Sequence, residues 1–154
     1  MCAILDANVA HEVFTTNQTE AGRAFLCWLT RRQGRLVVGG KLRLELARHR
    51  AAERWIVEGI RAGRVRVAKN DDVDRLAEEL AGSCRSDDPH IIALARISGA
   101  RLLYSNDRAL HQDFGNRDLL THPRGKVFST SETPRLTEVH QKLLNRADLC
   151  RRAD

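Results

Sequence analysis

The chain has 154 residues, 26 Lys and Arg against 20 Asp and Glu, a formal net charge of +6 and a pI near 9.7. That length allows one hydrophobic core, and 42% hydrophobic with 30% charged residues excludes collagen-like and disordered chains. No apolar run approaches the roughly 20 residues of a membrane span, and Asp6 interrupts the apolar N-terminus before a signal-peptide core forms. The expectation is a cytoplasmic protein without a membrane partner.

Short apolar runs alternate with helical patterns along the chain. Residues 2–5 read as a strand ending on Asp6, and residues 19–33 as a helix with Ala21, Ala24, Phe25, Trp28 and Leu29 at three- and four-residue steps. A second strand is expected at 36–38, followed by a helical segment that puts Leu42, Glu45, Leu46 and His49 on one face. Residues 51–61 carry Ala51, Trp55, Ile56 and Ile60 in helical register, and 65–67 read as a strand. Further helices are predicted over 72–81, with Val73, Leu76, Ala77 and Leu80, and over 89–97, with Ile91, Leu94 and Ala95. Pro89 suits a first helical position, which makes Asp88 its N-cap. Residues 101–104 form a fourth strand, a short helix contains Leu110 and Phe114, and 126–128 are a weaker fifth strand. The polar run 129–134 connects to a last helix with Leu136, Val139, Leu143 and Leu144 on one side.

This alternation predicts a three-layer α/β/α, doubly wound sheet of four to five mainly parallel strands. Residues 1–128 form the domain. Residues 129–154 form a connector and an amphipathic helix that packs on it or makes an interface. The cysteines Cys2, Cys27, Cys84 and Cys150 show no zinc-ligand spacing, and they read as free, with Cys2 and Cys27 as small core hydrophobes in a reducing compartment.

Of the basic residues, 22 are Arg and only Lys41, Lys69, Lys126 and Lys142 are lysine. Arginine forks suit phosphate or carboxylate partners, and a GC-rich coding sequence produces the same bias without function. The acids are more telling. In doubly wound sheets, ligands bind beyond the carboxyl ends of the strands where strand order reverses. Asp6 follows the first strand and Ser105-Asn106-Asp107 the fourth, while Glu45 points along an apolar helix stripe and Asp87-Asp88 precede a helix. Each acid taken singly also reads as a helix cap or a solvated residue. Brought together they repel, and such a cluster implies a divalent cation, Mg²⁺ or Mn²⁺ for oxygen ligands. His49 and His90 are read as packing residues outside the site.

The run Ile4-Leu5-Asp6-Ala7-Asn8-Val9, then Glu45, then Asp88-Pro89-His90-Ile91-Ile92-Ala93-Leu94-Ala95, then Ser105-Asn106-Asp107 resembles the PIN domain family in order, spacing and context over about residues 2–128. The resemblance implies a metal-dependent nuclease with Asp6, Glu45, Asp88 and Asp107 as its acidic quartet. It implies one or two Mg²⁺ or Mn²⁺ ions, held by Asp6, Asp88 and Asp107, with Glu45 holding the attacking water. Asn8 and Ser105 match positions that orient the first and fourth acids. A VapC-like toxin ribonuclease implies further an RNA substrate, single-stranded or structured, an antitoxin partner, a homodimer, and products with 5′-phosphate and 3′-hydroxyl ends. Arg43, Arg48, Arg85 and Arg108 flank the acids and are expected to hold phosphates at the rim.

Two other readings use the same residues. One is a non-catalytic nucleic-acid-binding or scaffold protein in which the acids only cap helices. The other is a phosphoacceptor domain with Asp6 as nucleophile, against which stand Asn8, where a second Asp is wanted, and the absence of lysine at the late strand end.

Overall fold

A computed structural model describes residues 1–151. Five parallel strands, β1 Cys2–Leu5, β2 Arg35–Val38, β3 Val65–Val67, β4 Leu102–Tyr104 and β5 Lys126–Phe128, form one sheet in the order β3-β2-β1-β4-β5. Among the described residues, eight α-helices flank it: α1 His11–Phe14, α2 Glu20–Thr30, α3 Gly40–Ala47, α4 Arg50–Ala62, α5 Asn70–Leu80, α6 Pro89–Ser98, α7 Arg108–Phe114 and α8 Glu138–Leu144. The predicted α/β class and every predicted strand are present, and the sheet is wholly parallel. No helix among the described residues is long and apolar enough to cross a membrane. The last three residues of the predicted C-terminal segment lie outside the described residues.

The central strands β1 and β4 are buried at every position, as in sheets covered by helices on both faces. The chain leaves β1 toward β2 and β3, then crosses back over the sheet to β4 and β5. Right-handed crossovers put these two sets of connections on opposite faces. Accordingly α1 packs with α2 and α4, and α5 with α6. The direction reverses between β1 and β4, and the ladder bond from Asp6 N to the Tyr104 carbonyl, 2.9 Å, closes their carboxyl ends together. Beneath this junction Phe25, Tyr104 and Phe128 pack with ring centroids 4.8–5.6 Å apart.

Several side-chain expectations are corrected. Cys2 is not a free core thiol but is disulfide-bonded to Cys150, a partner 148 residues away that spacing alone could not reveal. Cys27 lies on the exposed side of α2, whose buried face is Ala21, Gly22, Phe25, Trp28 and Leu29. The buried face of α4 is Ala52, Ile56 and Gly59, which leaves Ile60 exposed, because Gly59 lets the helix approach Val65 of β3. The single stripe expected on the last helix is split: Leu144 and His140 are buried, and Val139 faces solvent.

The C-terminal segment nonetheless packs on the domain, with α8 against α2 and β5. Beyond α8, Arg101 N donates to Leu149 O at 2.7 Å and Arg151 N to Gly99 O at 2.8 Å. Gly99 caps α6 at φ +82°, and a Cβ there would lie 1.7 Å from the Arg151 carbonyl oxygen, so no other residue permits this crossing.

The aromatic cluster gives a direct test. Phe25→Ala is expected to lower unfolding free energy by about 3–5 kcal/mol, read as a shift in the urea midpoint at unchanged slope.

Candidate metal centre

Asp6 is 7% exposed, directly after the last residue of a fully buried strand. Ser105 Oγ donates to its Oδ2 at 2.8 Å, and the Asn8 backbone N–H reaches Oδ1 only at 3.5 Å. The Asn8 side chain itself is exposed. Burial pushes the Asp6 carboxyl above its usual range, the bonds from Ser105 and Asn8 act against this, and the charges of Asp88 and Glu45 push it further up. Ser105 Oγ also accepts from Asp107 N at 3.1 Å, so one hydroxyl joins the first acid to the turn carrying the fourth. Asp107 caps α7 as predicted, through Oδ1 to Leu110 N at 3.2 Å.

Asp88 occupies the N-cap position of α6, yet its side chain makes no capping bond, which departs from the capping role expected of it. Its carboxyl is raised first by burial and then by Glu45 and Asp107, with His90 and Lys41 opposing. Its loop is pinned by a residue that sequence patterns left unmarked. Asp113 of α7, itself buried, accepts from Arg85 N and Ser86 N at 2.9 Å each, fixing the loop that leads into Asp88. Asp87 is exposed and lines a hollow with Lys41, Asp74 and His90.

Glu45 projects from α3 and meets His90. The imidazole Nε2 donates to Glu45 Oε1 at 2.8 Å, and Nδ1 lies 3.9 Å from Asp88 Oδ1. Ligand atoms of Glu45, Asp88 and His90 all lie within 4.8 Å of one another, a group that can hold a metal ion. His90 was read from sequence as a packing residue outside the site. It is buried, as packing requires, but its ring stands between two of the four acids. The signal available in the sequence was its position two residues after Asp88, on the first turn of the same helix. His49, by contrast, caps α4 through Nδ1 to Ala52 N at 3.3 Å.

Of the four predicted acids, Glu45 and Asp88 are brought together with His90, and Asp6 and Asp107 are near enough for charge to act between Asp6 and both Asp88 and Glu45, and between Asp107 and Asp88. The arginines are not gathered in the same way. Arg43 forms a bidentate pair with Glu53, Arg85 reaches Gln112 Oε1 at 3.0 Å, and Arg48 and Arg108 are exposed. No protein-family model matches the chain, and no curated protein does.

Because Asp6 and Asp88 bind protons more tightly folded than unfolded, without metal they favour the folded state below the ordinary carboxyl value of 3.8. They lose that contribution as pH rises through their higher folded values. In EDTA, Asp88→Asn is therefore expected to melt above wild type at pH 7, with the gap closing as pH approaches 3.8. Mn²⁺ at about a hundred times its dissociation constant stabilises a one-site protein by about 2.7 kcal/mol. Thermal melts should register that gain in wild type and lose most of it in Asp88→Asn.

Proposed function

We propose that the protein is a metal-dependent endoribonuclease acting on single-stranded or structured RNA, in the manner of the PIN domain toxins its motifs resemble. What supports this is the group of Glu45, Asp88 and His90, with Asp6 and Asp107 near enough for charge to act on it and the Asp88 carboxylate left free of the capping bond its position offers. The donor set fits a hard divalent ion, Mg²⁺ or Mn²⁺: carboxylate oxygens dominate, and repulsion among them is relieved by a cation. His90 adds one nitrogen at the edge of the set, and it is already bonded to Glu45.

When bound, such an ion supplies an activated water and offsets the charge that builds on phosphorus. The chain's own residues orient the reaction. Asp6, Asp88 and Asp107 would hold the ion. Ser105 fixes the Asp6 carboxylate through Oδ2, leaving Oδ1 only weakly engaged. Glu45 accepts a proton from the attacking water, and His90 holds it in position. Water adds to phosphorus as the P–O3′ bond breaks, its proton passing to Glu45 and the departing O3′ taking one from solvent, which gives 5′-phosphate and 3′-hydroxyl ends. Arg48 and Arg108, both exposed beside acids, are free to meet phosphates; Arg43 must first leave Glu53.

Toxin activity, a neutralising antitoxin, a homodimer and a cytoplasmic setting complete the reading. One feature opposes the last of these, since disulfides such as Cys2–Cys150 are rare in reducing compartments. The alternative, a non-catalytic nucleic-acid-binding or scaffold protein, draws on the capping bond of Asp107, and it leaves the uncapped Asp88 unexplained.

Cleavage of labelled single-stranded RNA with Mg²⁺ or Mn²⁺ tests the proposal. Asp6→Asn is expected to lose at least about a hundredfold in rate, and Ser105→Ala the roughly 10- to 100-fold typical of an outer-shell change. Cleavage that survives EDTA, or is equal in Asp6→Asn and wild type, rules the nuclease out.

A further inference from the structure

Two adjoining hollows, each of about 400 Å³, run along β5 and α8. The first is walled by His111, Ser129, Ser131, Glu132 and Thr133, and the second by Lys126, Lys142 and Arg146. Val127, Val139 and Leu143 are common to both, and Val139 is 66% exposed. The volume of each lies within the roughly 300–1,000 Å³ range of ligand sites.

The groove is tied to the acid centre through two residues. His111 Nε2 donates to Ser105 O at 2.6 Å, back to back with the Ser105 hydroxyl that holds Asp6. Next in sequence, Asn106 Oδ1 accepts from Ser129 Oγ and Thr130 N, both at 2.9 Å, so the groove wall hangs from the turn that ends in Asp107. The cations at the far end are available. Lys126 has no ion-pair partner among the described residues, while Lys142 with Glu138 and Arg146 with Asp148 form only exposed pairs, which hold weakly against a phosphate.

We propose that this groove binds the single-stranded RNA on one side of the cleaved phosphate. A backbone phosphate lies against Lys126, Lys142 and Arg146, and a base rests on Val139 and Leu143 with its edge toward the hydroxyls of Ser129 and Ser131. The inference rests on the nuclease reading of the acid centre. The chemistry favours a nucleic-acid strand over a peptide: three cations at one end and a row of hydroxyls at the other match the phosphate-and-base alternation of an unpaired strand. It also gives the C-terminal segment a role in substrate binding, with the acid centre supplied by the rest of the domain.

The test separates binding from cleavage. Anisotropy of a 5′-labelled single-stranded RNA is titrated in EDTA with wild type, Lys126→Ala/Lys142→Ala and Val139→Glu, whose altered positions are at the surface or partly so. Both variants are expected to bind at least about tenfold more weakly, and the lysine pair to flatten the dependence of log K on log salt by about 0.7 for each contact removed. Affinity unchanged in both groove variants overturns the inference and leaves the groove to a protein segment; wild type that binds no RNA overturns it as well. Weakened groove variants beside a wild type that cleaves nothing in Mn²⁺ would remove the nuclease reading and keep the RNA groove. Normal cleavage with unchanged affinity removes the groove alone.

Discussion

A parallel sheet whose chain runs outward in both directions from β1 leaves the carboxyl ends of β1 and β4 with no helix crossing between them. Everything distinctive about this molecule follows from what occupies that gap. The residues that emerge there, Asp6 and Ser105, are the first beyond strands buried at every position, so their side chains cannot be swung away into solvent without unpairing the ladder. The Ser105 hydroxyl is the one group that touches both sides, donating to Asp6 and accepting from the Asp107 amide. It sets the spacing of two acids while leaving most of their hydrogen-bonding capacity open.

A neighbouring carboxylate sets off this openness. Glu12, as buried as Asp6, accepts from Tyr104 Oη at 3.2 Å, from Thr19 Oγ1 at 3.4 Å, from Asn106 Nδ2 at 3.2 Å and from Thr130 Oγ1. Asp113 likewise spends both oxygens on backbone amides. Those are carboxylates at rest: buried, fully bonded, and holding loops in place. Asp6, buried with one good bond, and Asp88, half-buried with no capping bond, stand beside other acids without equivalent compensation. Within one small domain, carboxylates that hold loops thus differ from ones whose oxygens are left open by more than burial or position alone.

The fold was legible because its signal is coarse. Apolar runs of three or four residues between helical periods suffice to place five parallel strands, and strand ends then locate the acids. The features that escaped depend on rotation or on distant pairing. How α4 meets β3, set by Gly59, decides whether Ile60 is core or surface. Asp113 and His90 act through contacts to residues 27 and 45 positions away, a relation that periodicity does not encode. The arginine richness, read as phosphate affinity, is partly internal: the Arg101 guanidinium is buried and donates to the Ala95, Ala100 and Pro123 carbonyls, and Arg96 Nε donates to Leu119 O. Composition counts such residues as rim cations although the fold uses them as loop anchors.

The Cys2–Cys150 bond has a mechanical meaning. It joins the start of the central strand to the segment after α8, at the end of the sheet opposite the acid centre, so residues 2–150 form a covalent ring. A stretching force applied outside that ring travels through the disulfide and bypasses the five strands entirely. The sheet, and the carboxylates suspended at its far edge, carry no load until the sulfur bond is cut; after that, tension enters at β1 itself, the strand from which Asp6 projects.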